Sequence, residues 1–161
     1  MRLSRRAAAS AAAITALLAT SLATPATASE TSTGTWRAYG NTNPITSSAS
    51  TWRCTTTKDF DTGIKAQACA IRSTDHRSVQ AAVIVRNNRS SVYRIKALPD
   101  LYSAVSGFPL GNWVCARSGV GANAWSVCFG KTLVSTDRVL AQGDVTDEVI
   151  NYLSLGTTAS V

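Results

Sequence analysis

Between residues 51 and 142 the chain alternates apolar and polar side chains in short runs, each closed by Gly, Asn, Asp or Ser. The runs fall at 51–56, 65–72, 78–87, 91–97, 111–117, 124–130 and 137–142. A period of two, enriched in Val, Ile, Thr and aromatics, is the signature of a strand with one buried face. Seven such runs separated by turn signals predict an all-β domain, an antiparallel β-sandwich of immunoglobulin-like or similar type. No strand–helix–strand unit is visible, which argues against a doubly wound fold.

One hairpin can be registered from its pattern. In VQAAVIVRNNRSSVYRIKA a three-residue loop at Asn88-Arg89-Ser90 would pair Val85 with Tyr93, Val83 with Ile95 and Ala81 with Ala97. The opposite face would then collect Gln80, Ile84, Arg86, Arg94 and Lys96. A two-residue turn would place Arg94 and Lys96 across from Val83 and Ala81, a slip that burial selects against. This register predicts a dry face and a basic face, with Arg89 at the tip.

The tail is ambiguous by the same criteria. DVTDEVINYLSLG offers Thr146 as a helix N-cap and apolar residues at 149, 150 and 153, yet it is rich in β-branched residues. Over 144–155 the all-β context favours a terminal strand.

Ahead of the patterned region the character changes. Arg2, Arg5 and Arg6, the Ala/Leu-rich stretch from Ala7 to Ala23, and Ala26-Thr27-Ala28 read as a signal peptide over 1–28, cleaved after Ala28. Ser4-Arg5-Arg6 touches on a twin-arginine signal, but alanines follow it, which favours the general secretory route. Residues 29–50 are rich in Ser, Thr, Gly and Asn and read as a flexible N-terminal arm with a possible edge strand at TWRAYG. A single β-sandwich domain is then expected over 51–161. No later segment is long and apolar enough to be a transmembrane helix, so the predicted location is extracellular.

Loss of the leader changes the charge. Of sixteen basic residues the leader holds three, so against nine acidic ones the formal charge falls from +7 to +4. That is too modest to indicate specific nucleic-acid binding but suits attraction to anionic polymers.

The four cysteines all follow the leader, in two similar frames: Trp52, Cys54 and Cys69, then Trp113, Cys115 and Cys128. Each pair straddles a turn signal, at Asp61-Thr62-Gly63 and at Gly121-Ala122, as partners in two hairpin arms would. The expected bridges are Cys54–Cys69 and Cys115–Cys128, each contributing about 3 kcal/mol. In the second frame Trp113 would share the disulfide face, while Val114, Trp125, Val127 and Phe129 would form the core face. A bridge between two sheets, with tryptophan packed on it, is the alternative. No pair has the C-x2–4-C spacing of a structural zinc site or the C-x-x-C of a redox motif.

Other chemistry is thin. His76, in RSTDHRS with Ser73 and Asp75, reads as a solvated turn histidine. Asp59 and Asp61 in KDFDTG suit a turn better than an acid–base pair, and calcium binding with Thr62 lacks further acidic ligands. Gly119-Val120-Gly121-Ala122-Asn123-Ala124 fits a nucleotide-loop pattern only formally, because strands are expected on both sides. Asn88-Arg89-Ser90 is a glycosylation sequon in a chain whose leader looks bacterial. No cofactor or metal is expected.

The leader, the W-x-C frames, QACAIR and WSVCFGKT resemble small exported proteins of high-GC actinobacteria that have no assigned activity. That resemblance brings no catalytic residues. The chain does not match the secreted subtilisin-inhibitor, amylase-inhibitor or enediyne-carrier families.

The leading expectation is a secreted, non-enzymatic β-sandwich binding an extracellular or cell-surface ligand, such as an anionic wall polymer or a secreted protein. Arg86, Arg89, Arg94, Lys96 and Arg117 are its candidate contacts. The alternatives are an inhibitor of an extracellular enzyme presenting the Arg117–Asn123 loop between Cys115 and Cys128, and a hydrolase using Asp59, Asp61 or His76.

Overall fold

The computed structural model describes residues 30–147, 149 and 151–161; the signal-peptide reading over 1–28 lies outside them. The fold is all-β, two sheets packed face to face, with no helix among the described residues. The described residues form twelve strands: β1 Ser32–Thr33, β2 Thr35–Gly40, β3 Thr51–Cys54, β4 Lys58–Asp61, β5 Ile64–Arg72, β6 Ser78–Asn87, β7 Tyr93–Ser103, β8 Pro109–Val120, β9 Ala124–Phe129, β10 Leu133–Val134, β11 Val139–Thr146 and β12 Tyr152–Thr157. All seven expected runs are strands. One sheet has the order β1-β8-β7-β11-β12. The other runs β2-β9-β6-β5-β3, with β4 also along β5 and β10 along the start of β6.

The sheets begin at Ser32, well before Thr51. TWRAYG is the edge strand β2, paired with β9 from Thr35↔Phe129 to Gly40↔Trp125. The tail is a strand as well: β12 pairs with β11, and Asp147 Oδ1 closes their turn by accepting the amides of Val149 and Asn151, each at 3.0 Å. Asp147, Val149 and Asn151 therefore belong to a turn and not to a helix.

The registered hairpin does not form. β6 lies between β5 and β9, whereas β7 lies between β8 and β11 in the opposite sheet. Its apolar alternation was sound: Val83, Val85, Ile95 and Ala97 are all fully buried in one cluster. They face each other across the sandwich instead of side by side. Asn87 is the cause. It is fully buried, and its Nδ2 donates to the carbonyls of Ser91, Val120 and Gly121 at 2.8–3.0 Å, while its Oδ1 accepts the Arg89 amide at 2.8 Å. A satisfied buried amide fixes residues 88–92 as an arch between sheets, because breaking it would leave several polar groups dry and unpaired.

The inter-sheet core holds Ile64, Val83, Val85, Ile95, Val145 and Leu155, with Val79, Leu101, Trp113 and Val139 towards the other end. Each such side chain stabilises the fold by about 1.5–3 kcal/mol relative to leaving it in water. A third cluster covers the outer face of the β2–β3 sheet, where Trp52, Trp125, Phe129, Tyr39 and Ile45 pack over Ile71, Ile84 and Val127.

Both expected disulfides form, but on different faces. Cys54 and Cys69 are directly opposite on β3 and β5, with Cα atoms 4.0 Å apart, and belong to the outer cluster. Cys115 on β8 and Cys128 on β9 are fully buried in the main core, so their bridge joins the two sheets. The expected hairpin geometry for this pair is corrected accordingly: the disulfide face is the main core, and Trp125, Val127 and Phe129 belong to the outer cluster. Gly34, between β1 and β2, lets the chain cross from one sheet to the other. A Cβ there would lie 2.8 Å from Cys115 Sγ and 2.9 Å from the Phe129 carbonyl. Trp36 Nε1 closes the same side by donating to the Ala116 carbonyl at 2.8 Å. On the opposite side Lys58 Nζ reaches the Ser154 carbonyl at 2.9 Å.

One end of the sandwich is tied by Arg72, which is 7% exposed. Its guanidinium donates to the carbonyls of His76 and Ser135 at 3.0 Å, of Val161 at 3.2 Å, and of Asp137. Four carbonyls answer the demand of a buried cation for acceptors.

Candidate functional site

At the end opposite Arg72 the turns β4–β5, β6–β7 and β11–β12 meet the outer edge of β8 around an open groove of about 580 Å3. Its walls are Asp61 from the first turn, Val92 and Tyr93 from the arch, Arg94 on β7, Arg117 on β8, and Asp147 and Val149 from the last turn.

The five candidate cations separate into distinct environments. Arg86 lies on the outer face of the β2–β3 sheet. It donates to Asn88 Oδ1 at 2.8 Å, Asn41 Oδ1 at 3.0 Å and the Asn123 carbonyl at 2.9 Å, and covers the Trp125 ring at 5.2 Å. Arg89 is paired with Asp61 at 2.8 Å, donates to the Thr62 carbonyl at 2.6 Å and stacks 4.7 Å from the centre of Tyr93. Lys96 faces outward on β7 across from Thr146 and has an interaction of its own. Arg94 and Arg117 have no hydrogen-bond or ion-pair partner among the described residues, and both line the groove. The single basic face expected from the hairpin is therefore split between opposite faces of the molecule, because β6 and β7 belong to different sheets.

The groove floor is electrostatically set. The Thr62 amide and then Arg89 hold the Asp61 carboxyl below its ordinary range, and Tyr93 Oη donates to it at 3.2 Å. A carboxyl lowered in this way supports the folded end at neutral pH, and that support is lost as pH falls through its depressed pKa. Burial, followed by the neighbouring Asp61 charge, pushes the Tyr93 phenol up to about 12, so it remains a neutral donor at physiological pH. The floor is thus an internally compensated Arg89–Asp61–Tyr93 unit. Arg94 and Arg117 add positive charge to the wall, the Asp147 carboxylate, occupied by the Val149 and Asn151 donors, is the opposing charge, and the exposed side chains of Val92 and Val149 add apolar rim.

The segment Arg117–Val120 belongs to strand β8, and only residues 121–123 form the turn to β9. Arg117 is therefore a wall of the groove, not the tip of a loop. Among the other candidates, Asp59 pairs with Lys65 at 2.5 Å. Ser73 Oγ donates to Asp75 Oδ1 at 2.5 Å, so that hydroxyl is directed at the carboxylate and not at His76. His76 is an exposed turn residue with φ of 58° whose carbonyl serves Arg72. Val92, Asp147 and Val149 have no local sequence signal as groove residues; only the sheet-crossing topology gathers them.

Comparison with protein-family models, curated proteins and solved structures returns no match. Two disulfides of this kind are typical of extracellular proteins. No helix among the described residues is long and apolar enough to cross a membrane.

Proposed function

We propose that this protein is an exported, non-catalytic binding module that captures an anionic extracellular ligand in the end groove through Arg94 and Arg117. The observation that carries this reading is the sorting of the arginines. Arg86 and Arg89 are engaged in the fold, whereas Arg94 and Arg117 share the wall of one groove and lack intramolecular partners among the described residues. Guanidinium groups are suited to carboxylate or phosphate, which they bind through paired N–H donors. A binding role fits better than hydrolysis because Asp59 and Asp61 are each paired with a cation, and Ser73 with Asp75.

Retention on immobilised polyphosphate and on poly-glutamate at low salt tests the proposal. Arg94→Ala and Arg117→Ala should each weaken binding about tenfold, the scale of a lost charge-assisted hydrogen bond. Added salt should weaken it further. Unchanged retention in the double variant would remove the groove as the site.

A further inference from the structure

The Arg72 end carries a different surface. Among the exposed large apolar residues, Val105 at 81%, Phe108 at 71% and Leu110 at 40% lie on the β7–β8 hairpin tip or just beyond it, and Val134 at 89% lies on β10. The tip is tied to the connection that follows β10, since the Ala104 amide donates to the Arg138 carbonyl at 2.8 Å, and β10 itself lies along the start of β6 at the same end. Exposed apolar side chains concentrated on adjoining tips mark a contact surface.

The amides of the hairpin tip are also satisfied within the protein. The amides of Val105 and Ser106 donate to Ser103 Oγ at 3.3 and 3.2 Å, Gly107 to the Ser103 carbonyl at 2.9 Å, and Phe108 to Ser106 Oγ at 3.3 Å. Pro109 has no amide hydrogen. Gly107, at φ 73°, permits this tight closure. Every backbone donor from Ala104 to Phe108 thus has an acceptor within the protein. That meets the donor part of what irregular backbone needs in a medium without water.

We infer that this end docks on anionic lipid bilayers, with Val105 and Phe108 inserted among the acyl chains and exposed cations at the headgroups. Arg77 and Lys131, on the two turns beside the tip, and Arg138 supply the charge. Of the acids at this end, Asp75 is engaged by Ser73 and the Arg77 amide, while Asp137 remains as an opposing charge. A bilayer fits better than a second copy of the chain. Self-association by a two-fold axis requires a self-complementary face, whereas the exposed cations Arg77, Lys131 and Arg138 around these apolar side chains complement an anionic surface and would repel their own copies. The proposal is independent of the groove, which lies at the other end.

Sedimentation with phosphatidylcholine vesicles, with and without phosphatidylglycerol, tests it. The protein should pellet with the anionic vesicles, and Val105→Ser with Phe108→Ser should lower partition by at least about tenfold, since binding scales with buried apolar area. Arg77→Gln and Lys131→Gln should each lower it by about fivefold. An unchanged thermal midpoint would show that the exposed substitutions leave the fold intact. Failure of the parent protein to pellet, or pelleting that is indifferent to the Phe108 change, overturns the inference. So does a vesicle-independent dimer abolished by Phe108→Ser, which would assign the tips to a second copy. Neither result bears on Arg94 and Arg117.

Discussion

The two disulfides close loops of nearly equal size, fifteen and thirteen positions, and each has a tryptophan two residues before its first cysteine. Their surroundings differ completely. Cys54–Cys69 joins neighbouring strands of one sheet, which hydrogen bonds already hold in register. Cys115–Cys128 joins two sheets that have no backbone ladder between them at that point, and it does so inside the main core. The same contrast extends to the tryptophans. Trp113 is 3% exposed, and its indole lies against Gly111 and Gly130, where any Cβ would collide with the ring. Trp52 lies on the outer cluster, meets Phe129 edge to face at 6.2 Å, and has a buried Nε1 without an acceptor among the described residues. Equal loop entropy need not mean equal structural weight; what matters is whether other interactions already impose the same constraint.

Paired alanine substitutions should expose this contrast most strongly. Loss of loop closure costs about 3 kcal/mol for either bridge. Removing Cys115 and Cys128 also leaves a void between the sheets, bringing the total to about 5 kcal/mol. Cys54→Ala with Cys69→Ala should remain near 3 kcal/mol or below, because Cys54 is partly exposed and the strand ladder persists. Denaturant titration measures both, and equal losses would refute the distinction.

A smaller effect is expected at the sheet crossing. Gly34→Ala forces a methyl group against Cys115 Sγ and a carbonyl, with an expected cost of about 2 kcal/mol. None of the described glycines lies against the other bridge. If the Cys115–Cys128 bridge is removed as well, the penalty should shrink, and a double-mutant cycle reads that coupling.

The smallest effect should come from Trp52. Trp52→Phe removes a buried indole N–H that lacks an acceptor, a liability of about 1–3 kcal/mol, and this offsets the lost area. The thermal midpoint should therefore hardly move. Trp113→Phe, which opens space in a dry slot, should lower it clearly. A large loss at Trp52 would mean that the outer cluster ranks with the main core.

These contrasts bear on what could be read from the chain. Period-two alternation correctly identified the inward side chains of β6 and β7, but two strands paired in one sheet and two strands facing across a sandwich have the same alternation. Asn87 decides between them through tertiary hydrogen bonds that no local pattern carries. Cysteine spacing likewise predicted the partners and not the face. Arg94 and Arg117 were visible as candidates, yet Arg86 and Arg89 looked equivalent to them. The difference arises only once Asn41, Asp61 and Trp125 arrive from other segments of the chain. β1, β4 and β10 have two to four residues each, too few for any periodicity to register.

Arg72 has a consequence for the order of assembly. Its acceptors lie 4, 63, 65 and 89 positions along the chain, so its donors cannot all be satisfied until every one of those segments has been made and brought together. A guanidinium half-supplied with acceptors resists dehydration, so this end stays open in any partly synthesised or partly threaded chain. Contacts of such separation are also slow to find, because loop closure precedes their reward. The chain can nucleate around β5 and β6 early and still remain unlocked at one end, until a residue 89 positions downstream arrives.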